Sequence, residues 1–144
     1  MIRSLALVLC LAAPAAAAPI LFHEADEKAI ASELKRIHRK HKALPARVEA
    51  VSARFVGTPY RLGPLGEGPD AEYDREPLYS FREADCTTFV EHVMALALEA
   101  ELPKALKTLQ KIRYKDGQVS YEKRNHFPEV DWLPQNVYAG FLKD

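Results

Sequence analysis

The pattern of apolar and polar positions predicts helices through most of the chain. In four segments the apolar residues recur every three or four positions, which is typical of a helix with one buried face. The first predicted helix spans residues 24–41, and the others begin at Pro45, Cys86 and Pro103. Proline suits a first helical turn because the N–H that it lacks would have no helical partner there.

The remaining segments predict a long loop and a few short strands. Residues 57–77 are rich in glycine and proline, and a loop of this length inside a small domain is usually functional or mobile. Residues 78–81 fit a short strand, and residues 113–121 fit a β-hairpin around a two-residue Asp-Gly turn. The second strand of this hairpin leads to His126.

The third predicted helix places a thiol in its first turn. Asp85 is a favourable N-cap residue, and Cys86 follows it directly. At about 100° per residue, Cys86 lies on the midline of the apolar face. That face consists of Cys86, Phe89, Val90, Val93, Leu96, Ala97 and Ala100. The opposite face consists of Glu91, His92, Ala95 and Glu99. A helix N-terminus favours the thiolate form of a cysteine, whereas a buried, inert cysteine is the alternative interpretation.

Residues 1–18 resemble a secretory signal peptide. Arg3 supplies a positive charge, residues 5–13 form an apolar run too short to span a membrane, and four alanines follow at 15–18. We therefore expect an exported protein of the periplasm or cell envelope, with residues 19–144 as its single domain.

Removal of the predicted signal changes the charge and cysteine counts. The whole chain has 20 Lys and Arg against 20 Asp and Glu, so loss of Arg3 leaves it almost neutral. Such a balance argues against nucleic acid or a membrane surface as a partner. Cys86 becomes the only cysteine, which excludes a disulfide framework and a zinc ribbon. Exported cysteines are usually paired, so an unpaired one suggests a chemical use.

His126 is the natural partner of Cys86. A Cys–His pair needs a base at hydrogen-bonding distance from the thiol and a third group to orient that base. Asp131 and Asn136 are the candidates for the third group, and an ordinary half-buried histidine is the alternative interpretation of His126. We discount His92 as the base because it lies on the far face of the predicted helix. A metal site of Cys86, His126 and Asp131 is a further, weaker alternative.

Several motifs carry a resemblance to a known family. Residues 57–63 and 85–91 resemble the papain-like cell-wall peptidases of the NlpC superfamily, which carry a Pro-Tyr motif and an Asp-Cys pair that opens a central helix. The N-acetylmuramoyl-L-alanine amidase-like branch is the most similar. It shares the Thr-Phe-Val-Glu continuation, an Arg-X-His-Phe segment as at 124–127, and an Asp-Trp pair as at 131–132. The resemblance spans residues 48–136.

The resemblance implies roles for four residues. It implies that Cys86 is the nucleophile and His126 the general base, whereas it does not identify the third polar residue, for which Asn136 and Asp131 stay as alternatives. The resemblance also implies that Tyr60 and Asp85 line the substrate site.

We therefore expect an α+β domain of the papain-like (NlpC-type) fold. Its N-terminal helices and its central helix, which carries Cys86, would pack on a small antiparallel sheet. Family members continue through further strands, so we expect the domain to be incomplete at its C-terminus.

The expected function is that of an exported cysteine hydrolase that cleaves an amide bond in peptidoglycan stem peptides, without metal or organic cofactor. The alternatives are a γ-D-glutamyl-diamino-acid endopeptidase and a catalytically inactive domain of the same fold that binds the cell wall or a partner. The oligomeric state stays open.

Overall fold

Helices form most of the structure, a computed structural model that describes residues 19–143. The α-helices of this part are α1 (Glu27–Lys40), α2 (Leu44–Ser52), α3 (Cys86–Leu98), α4 (Leu102–Arg113) and α5 (Leu133–Tyr138). Short 3-10 turns lie at Phe22–Glu24, Lys115–Gly117 and Tyr121–Lys123, and a π-helical turn spans Pro128–Trp132. None of the described helices combines the length and the apolar character that crossing a membrane requires. The predicted signal peptide, residues 1–18, lies outside the described residues.

The four predicted helices are present, with shifted ends. Asp26 caps α1 by accepting a hydrogen bond from the Ala29 amide at 2.7 Å, so the α-helix begins three residues later than predicted. Pro45 and Pro103 lie in the first turns of α2 and α4, as their missing N–H groups favour. The α2 helix ends at Ser52, before the glycine- and proline-rich loop that starts at residue 57.

The predicted antiparallel sheet is wrong. Within residues 19–143 the extended segments make two isolated bridges, a parallel one between Tyr60 and Ala84 and an antiparallel one between Tyr114 and Arg124. The segment 78–81 pairs with no strand in the described part. The predicted hairpin does not form, because Lys115–Gly117 and Tyr121–Lys123 adopt 3-10 turns and interrupt the extended backbone that a strand ladder requires. The described fold is therefore helical, and not an α+β domain on a sheet.

The helix α3 lies at the centre of the described fold. It packs against α2 and α4, while α1 packs against the same two helices. The main core cluster consists of Phe22, Ile30, Leu34, Ile37, Val51, Phe55, Phe81, Val93, Leu96, Leu102 and Ala105. A second cluster consists of Ala95, Leu109, Ile112 and Trp132. Both clusters include residues of α3, so the position of Cys86 at its start depends on both.

The predicted orientation of α3 is partly wrong. Val93, Leu96 and Ala97 are buried as expected. However, Cys86 and Val90 are exposed, although they were assigned to the same apolar face. Residues assigned to the opposite face are instead buried, and these are Glu91, His92 and Ala95. The helix is covered on most sides, and the buried Glu91 and His92 side chains find polar partners inside the fold.

The long loop between α2 and α3 is tied down by polar contacts. The Arg124 guanidinium binds the carboxylates of Glu67 and Asp74, and the Tyr114 hydroxyl donates to the Gly66 carbonyl at 2.8 Å. Gly66 has no room for a side chain, because a Cβ there would lie 2.7 Å from the backbone oxygen of Asp74. These contacts hold the loop against α4 and the segment that follows it.

Candidate active site

The N-terminus of α3 is fixed by a reciprocal cap. Asp85 Oδ1 accepts a hydrogen bond from the Thr88 amide at 2.8 Å, and the Thr88 hydroxyl accepts one from the Asp85 amide at 2.9 Å. Asp85 Oδ2 also accepts from the Gly63 amide at 3.0 Å. Burial by itself would raise the pKa of Asp85, but the hydrogen bonds from Thr88 and Gly63 outweigh burial and hold this pKa below its usual value. The carboxylate therefore stays charged and rigid beside Cys86.

The Cys86 thiol is exposed at this capped helix end. Its Sγ lies 4.0 Å from the hydroxyl of Thr87. The N-terminal end of a helix carries a partial positive charge, which stabilises negative charge that develops on an atom placed there. The position thus suits a nucleophile that reacts as an anion.

An apolar groove borders the thiol. Its volume is about 210 Å³, and it is lined by Cys86, Thr87, Val90, Pro128, Trp132 and Leu133. We call it the Cys86 groove. One wall is the first turn of α3, and the other is the π-helical turn with the start of α5. The groove can accept a small group with apolar substituents whose reacting carbon lies next to the sulfur.

The structure brings the segment that carries Tyr60 next to this helix end. The Arg61 amide donates to the Ala84 carbonyl at 3.2 Å, and the Ala84 amide donates to the Pro59 carbonyl at 3.1 Å. The Tyr60 side chain is 72% exposed. The predicted substrate-binding residues Tyr60 and Asp85 therefore lie on adjoining segments at the start of α3.

His126 is held by a backbone contact. Its Nε2–H donates to the Tyr121 carbonyl at 2.7 Å, and its exposed ring lies against the Tyr121 ring with the centroids 4.6 Å apart. Because a carbonyl can only accept, the proton is on Nε2, and a neutral ring presents its lone pair at Nδ1. In the described residues, His126 makes no hydrogen bond to the Cys86 sulfur. Pro128, two residues further along, lines the Cys86 groove.

The two candidates for the third polar residue have other partners. Asp131 Oδ1 accepts from the Phe127 amide at 2.8 Å. Asn136 is 1% exposed and donates to the carbonyls of Ile112 at 3.1 Å and Trp132 at 2.9 Å. The acceptor for the imidazole in this structure is the Tyr121 carbonyl, which sequence reasoning missed because every residue carries a backbone carbonyl.

A buried polar network lies behind the groove, and sequence reasoning missed it as well. The Trp132 indole N–H donates to Glu91 Oε1 at 2.9 Å, and Glu91 Oε2 lies 3.4 Å from Arg113 Nε. Burial raises the pKa of Glu91 to about 7, against the opposing effects of the Arg113 charge and the Trp132 hydrogen bond. The available signal was the place of Glu91 in the Thr-Phe-Val-Glu motif, but the helix pattern placed it outside the core.

The described residues, 19–143, contain no group of three or more His, Cys, Asp or Glu side chains that could hold a metal ion. The alternative set of Cys86, His126 and Asp131 is therefore not assembled as a metal site in this part of the chain.

A family model described as AmiA-like, N-acetylmuramoyl-L-alanine amidase-like, matches residues 50–144. Among curated proteins, none matches the chain significantly.

Several solved structures resemble the chain. A protein from Legionella pneumophila is 40% identical with a TM-score of 0.70, over 79% of this chain and 39% of that one. A putative xylanase from Bacteroides fragilis is 36% identical with a TM-score of 0.53, over 65% of this chain and 41% of that one. An N-acetylmuramoyl-L-alanine amidase from Bacteroides uniformis is 31% identical with a TM-score of 0.55, over 65% of this chain and 39% of that one. The matched region thus spans about two fifths of each of these relatives.

Proposed function

Because the chain belongs to the AmiA-like family of N-acetylmuramoyl-L-alanine amidase-like proteins, we propose that it supplies the nucleophile of a cysteine hydrolase acting on peptidoglycan. The bond cleaved would be the amide between the lactyl group of muramic acid and L-alanine. The observation that carries the proposal is the exposed Cys86 thiol, which opens the capped α3 helix and borders a groove. Wider kinship with the papain-like NlpC peptidases is part of this proposal.

The proposed reaction begins with attack of Cys86 Sγ on the amide carbonyl carbon. The thiol proton passes to His126 Nδ1, the ring nitrogen left free by the contact of Nε2–H with the Tyr121 carbonyl. The C–N bond then breaks, and the leaving amine takes the proton from the imidazole. Water hydrolyses the thioester and restores the thiol. The Cys86 backbone N–H would stabilise the oxyanion.

This mechanism requires His126 to approach Cys86 when substrate binds. Catalytic hydrogen bonds are often long in free enzymes and tighten in the substrate complex. The exposed ring and the proximity of Pro128 to the groove support such an approach. Asn136 and Asp131 remain candidates for orienting the ring in the substrate complex, alongside the Tyr121 carbonyl.

Tyr60 and Asp85 would bind the substrate beside the sulfur. The charged Asp85 can accept hydrogen bonds from an amide or an ammonium group, and the exposed Tyr60 ring can cover a sugar or a peptide. If Asp85 binds a free amine, the γ-D-glutamyl-diamino-acid bond becomes the better substrate. That endopeptidase activity is the second candidate.

Glycoside hydrolysis, suggested by the name of the Bacteroides fragilis relative, is less well supported. Glycosidases usually need two carboxyl groups across the scissile bond. The residues that line the Cys86 groove include no carboxylate.

The test is incubation of the full chain with purified muropeptides, followed by mass spectrometry of the products. A new lactyl carboxylate together with a free L-alanine amine supports the amidase, whereas a new diamino-acid N-terminus supports the endopeptidase. Cys86→Ser should abolish either product. Cys10→Ser, the same replacement at the other cysteine, should leave both the rate and the products unchanged.

Turnover by Cys86→Ser at the wild-type rate would overturn the proposal. If wild type binds peptidoglycan in a sedimentation assay but releases no fragment, the proposal also fails in favour of a binding domain. Export is a further part of the proposal, and it predicts that N-terminal sequencing of the secreted protein finds a start near residue 18 or 19.

A further inference from the structure

Trp132 connects the Cys86 groove to the interior. Its side chain lines the groove, yet it is only 8% exposed and packs in the second core cluster with Ala95, Leu109 and Ile112. Its indole N–H points inward and donates to Glu91 Oε1 at 2.9 Å. The position of this wall therefore depends on a carboxylate inside the fold.

Glu91 is a buried charged group that the proposed reaction does not use. Both Glu91 and its ion-pair partner Arg113 are only 4% exposed. The Arg113 guanidinium in turn donates to the Leu78 carbonyl at 3.1 Å. Buried ion pairs often contribute little net stability, since apolar residues of similar volume can replace them without loss. A role of Glu91 in shaping the Cys86 groove would explain why this buried ion pair is present.

The contact also joins the two walls of the groove. Glu91 lies on α3, five residues after Cys86, and Trp132 lies at the end of the π-helical turn. A hydrogen bond between them fixes the second wall relative to the helix that carries the thiol. We propose that Glu91 is a positioning residue that holds the Trp132 indole as the wall of the Cys86 groove, with Arg113 as its counter-ion. The consequence for catalysis rests on the proposed function, whereas the hydrogen bond and its effect on the groove do not.

Protonation of Glu91 should weaken its hydrogen bond with the Trp132 indole in the unmodified protein. The pKa of Glu91 lies near 7 because burial raises it. The other groups that shift the pKa of Glu91 are Arg113 on α4, Trp132, Asp85 before α3, and Arg124 in the segment after α4. The adjoining His92 has its pKa lowered to about 4, so it is neutral near pH 7. A neutral carboxyl loses the ion pair with Arg113 and is a weaker acceptor for the indole.

Tryptophan fluorescence measures this directly, because Trp132 is the only tryptophan of the chain. The emission of folded wild type, titrated from about pH 5.5 to 8.5, should change with a midpoint near pH 7. Glu91→Gln keeps an acceptor oxygen but removes the ionisation, so its emission should be constant. Glu129→Gln makes the same change at an exposed site in the same turn as Trp132 and should titrate as wild type does. A pH transition in Glu91→Gln equal to that of wild type would overturn the proposal.

A thiol-labelling assay tests the groove without requiring turnover. With Cys10→Ser as background, Cys86 is the only thiol, and N-benzylmaleimide and N-methylmaleimide add to it to form thioethers. Burial of the benzyl ring in the groove should favour the larger reagent by roughly tenfold over its preference for a free thiol in solution. The double variant Glu91→Met with Arg113→Met removes both buried charges together, so that neither is left unpaired. In that variant the preference should fall to the solution ratio.

The two proposals can fail separately. If the folded double variant keeps the wild-type preference for the benzyl reagent, the positioning role of Glu91 is wrong, whatever the enzyme cleaves. If fluorescence and labelling behave as expected while muropeptides are not cleaved, the positioning role of Glu91 is supported and the proposed reaction is wrong. Circular dichroism of each variant establishes that the comparison is made between folded proteins.

Discussion

His92 should make the protein sensitive to acid in a way that one substitution removes. The side chain is 1% exposed in the middle of α3, where its Nδ1–H donates to the Thr88 carbonyl at 2.6 Å. Its Nε2 has no hydrogen-bond partner among residues 19–143. Burial lowers the pKa of His92 from 6.5 to about 4, and the nearby Arg113 charge acts in the same direction. The ring is therefore neutral in the folded protein at neutral pH.

The sign of the effect on stability follows from proton binding. Between about pH 4 and 6.5 the unfolded chain protonates this histidine while the folded chain does not, so acid favours the unfolded state. The stabilising contribution is complete above about pH 6.5 and is lost as the pH falls toward 4. A pKa difference of this size corresponds to about 3 kcal/mol of unfolding free energy for a fully buried group.

Urea unfolding of wild type and His92→Phe at several pH values between about 4 and 7 provides the measurement. Phenylalanine can keep the aromatic contacts with Phe55 and Phe81, whose ring centroids lie 5.9 and 5.5 Å from the His92 ring. Whatever the absolute stability of the variant, wild type should lose about 3 kcal/mol relative to it as the pH falls through this range. Comparing the two proteins cancels the carboxylates that titrate in both.

The control is His41→Phe, the same replacement at the end of α1 and outside the core clusters. It should keep the acid loss of wild type, because His92 is intact. If the difference between wild type and His92→Phe does not change with pH, the reasoning is refuted. A His92→Phe variant that is more acid-sensitive than wild type would refute it equally.

Three further outcomes follow from the site and the loop. In the muropeptide assay, His126→Asn should lose most of the turnover of wild type, because the imidazole accepts the thiol proton in the substrate complex; turnover equal to that of wild type would argue against the pairing. Asp85→Ala removes the α3 cap, so urea unfolding should show a loss of about 1 kcal/mol, and an unchanged midpoint would mean that the cap contributes nothing. Arg124→Met leaves the Glu67 carboxylate buried without its counter-charge, which should lower the free energy of unfolding by roughly 3 kcal/mol and speed proteolysis of the loop over 57–77. Resistance of this variant to the protease equal to that of wild type would contradict the role of Arg124 in holding the loop.

The helices and the capped start of α3 could be predicted from local sequence, because their signals act within a few residues. A proline suits a first turn through its own missing N–H, and Asp85 caps α3 through an amide three residues away. Such contacts involve only residues a few positions apart, so they can be recognised without knowing the rest of the fold. The motifs around Cys86 and His126 likewise identified the family without a structure. The roles assigned to Cys86, His126, Asn136, Asp131, Tyr60 and Asp85 remain predictions for the experiments above.

The sheet and the orientation of α3 depended on partners distant in the sequence. A strand needs a paired neighbour, and around the predicted hairpin the 3-10 turns at Lys115–Gly117 and Tyr121–Lys123 leave only an isolated bridge between Tyr114 and Arg124. Glu91 and His92 were assigned to the face opposite Cys86 because a rotation of about 100° per residue places them there. Glu91 is buried because Trp132, 41 residues away, donates to its carboxylate and Arg113 lies beside it.

The hydrogen bond of the His126 ring likewise could not be predicted from the sequence. The sequence shows that residue 126 is a histidine, but it does not show which group accepts the hydrogen bond from Nε2–H. That acceptor is the backbone carbonyl of Tyr121. Every residue has such a carbonyl, so only the path of the chain decides which one faces the ring. Residue types thus determined which chemistry the chain can be proposed to perform. Tertiary packing determined which polar groups are buried and which atoms contact the His126 ring, because burying a polar group is costly unless a partner is supplied.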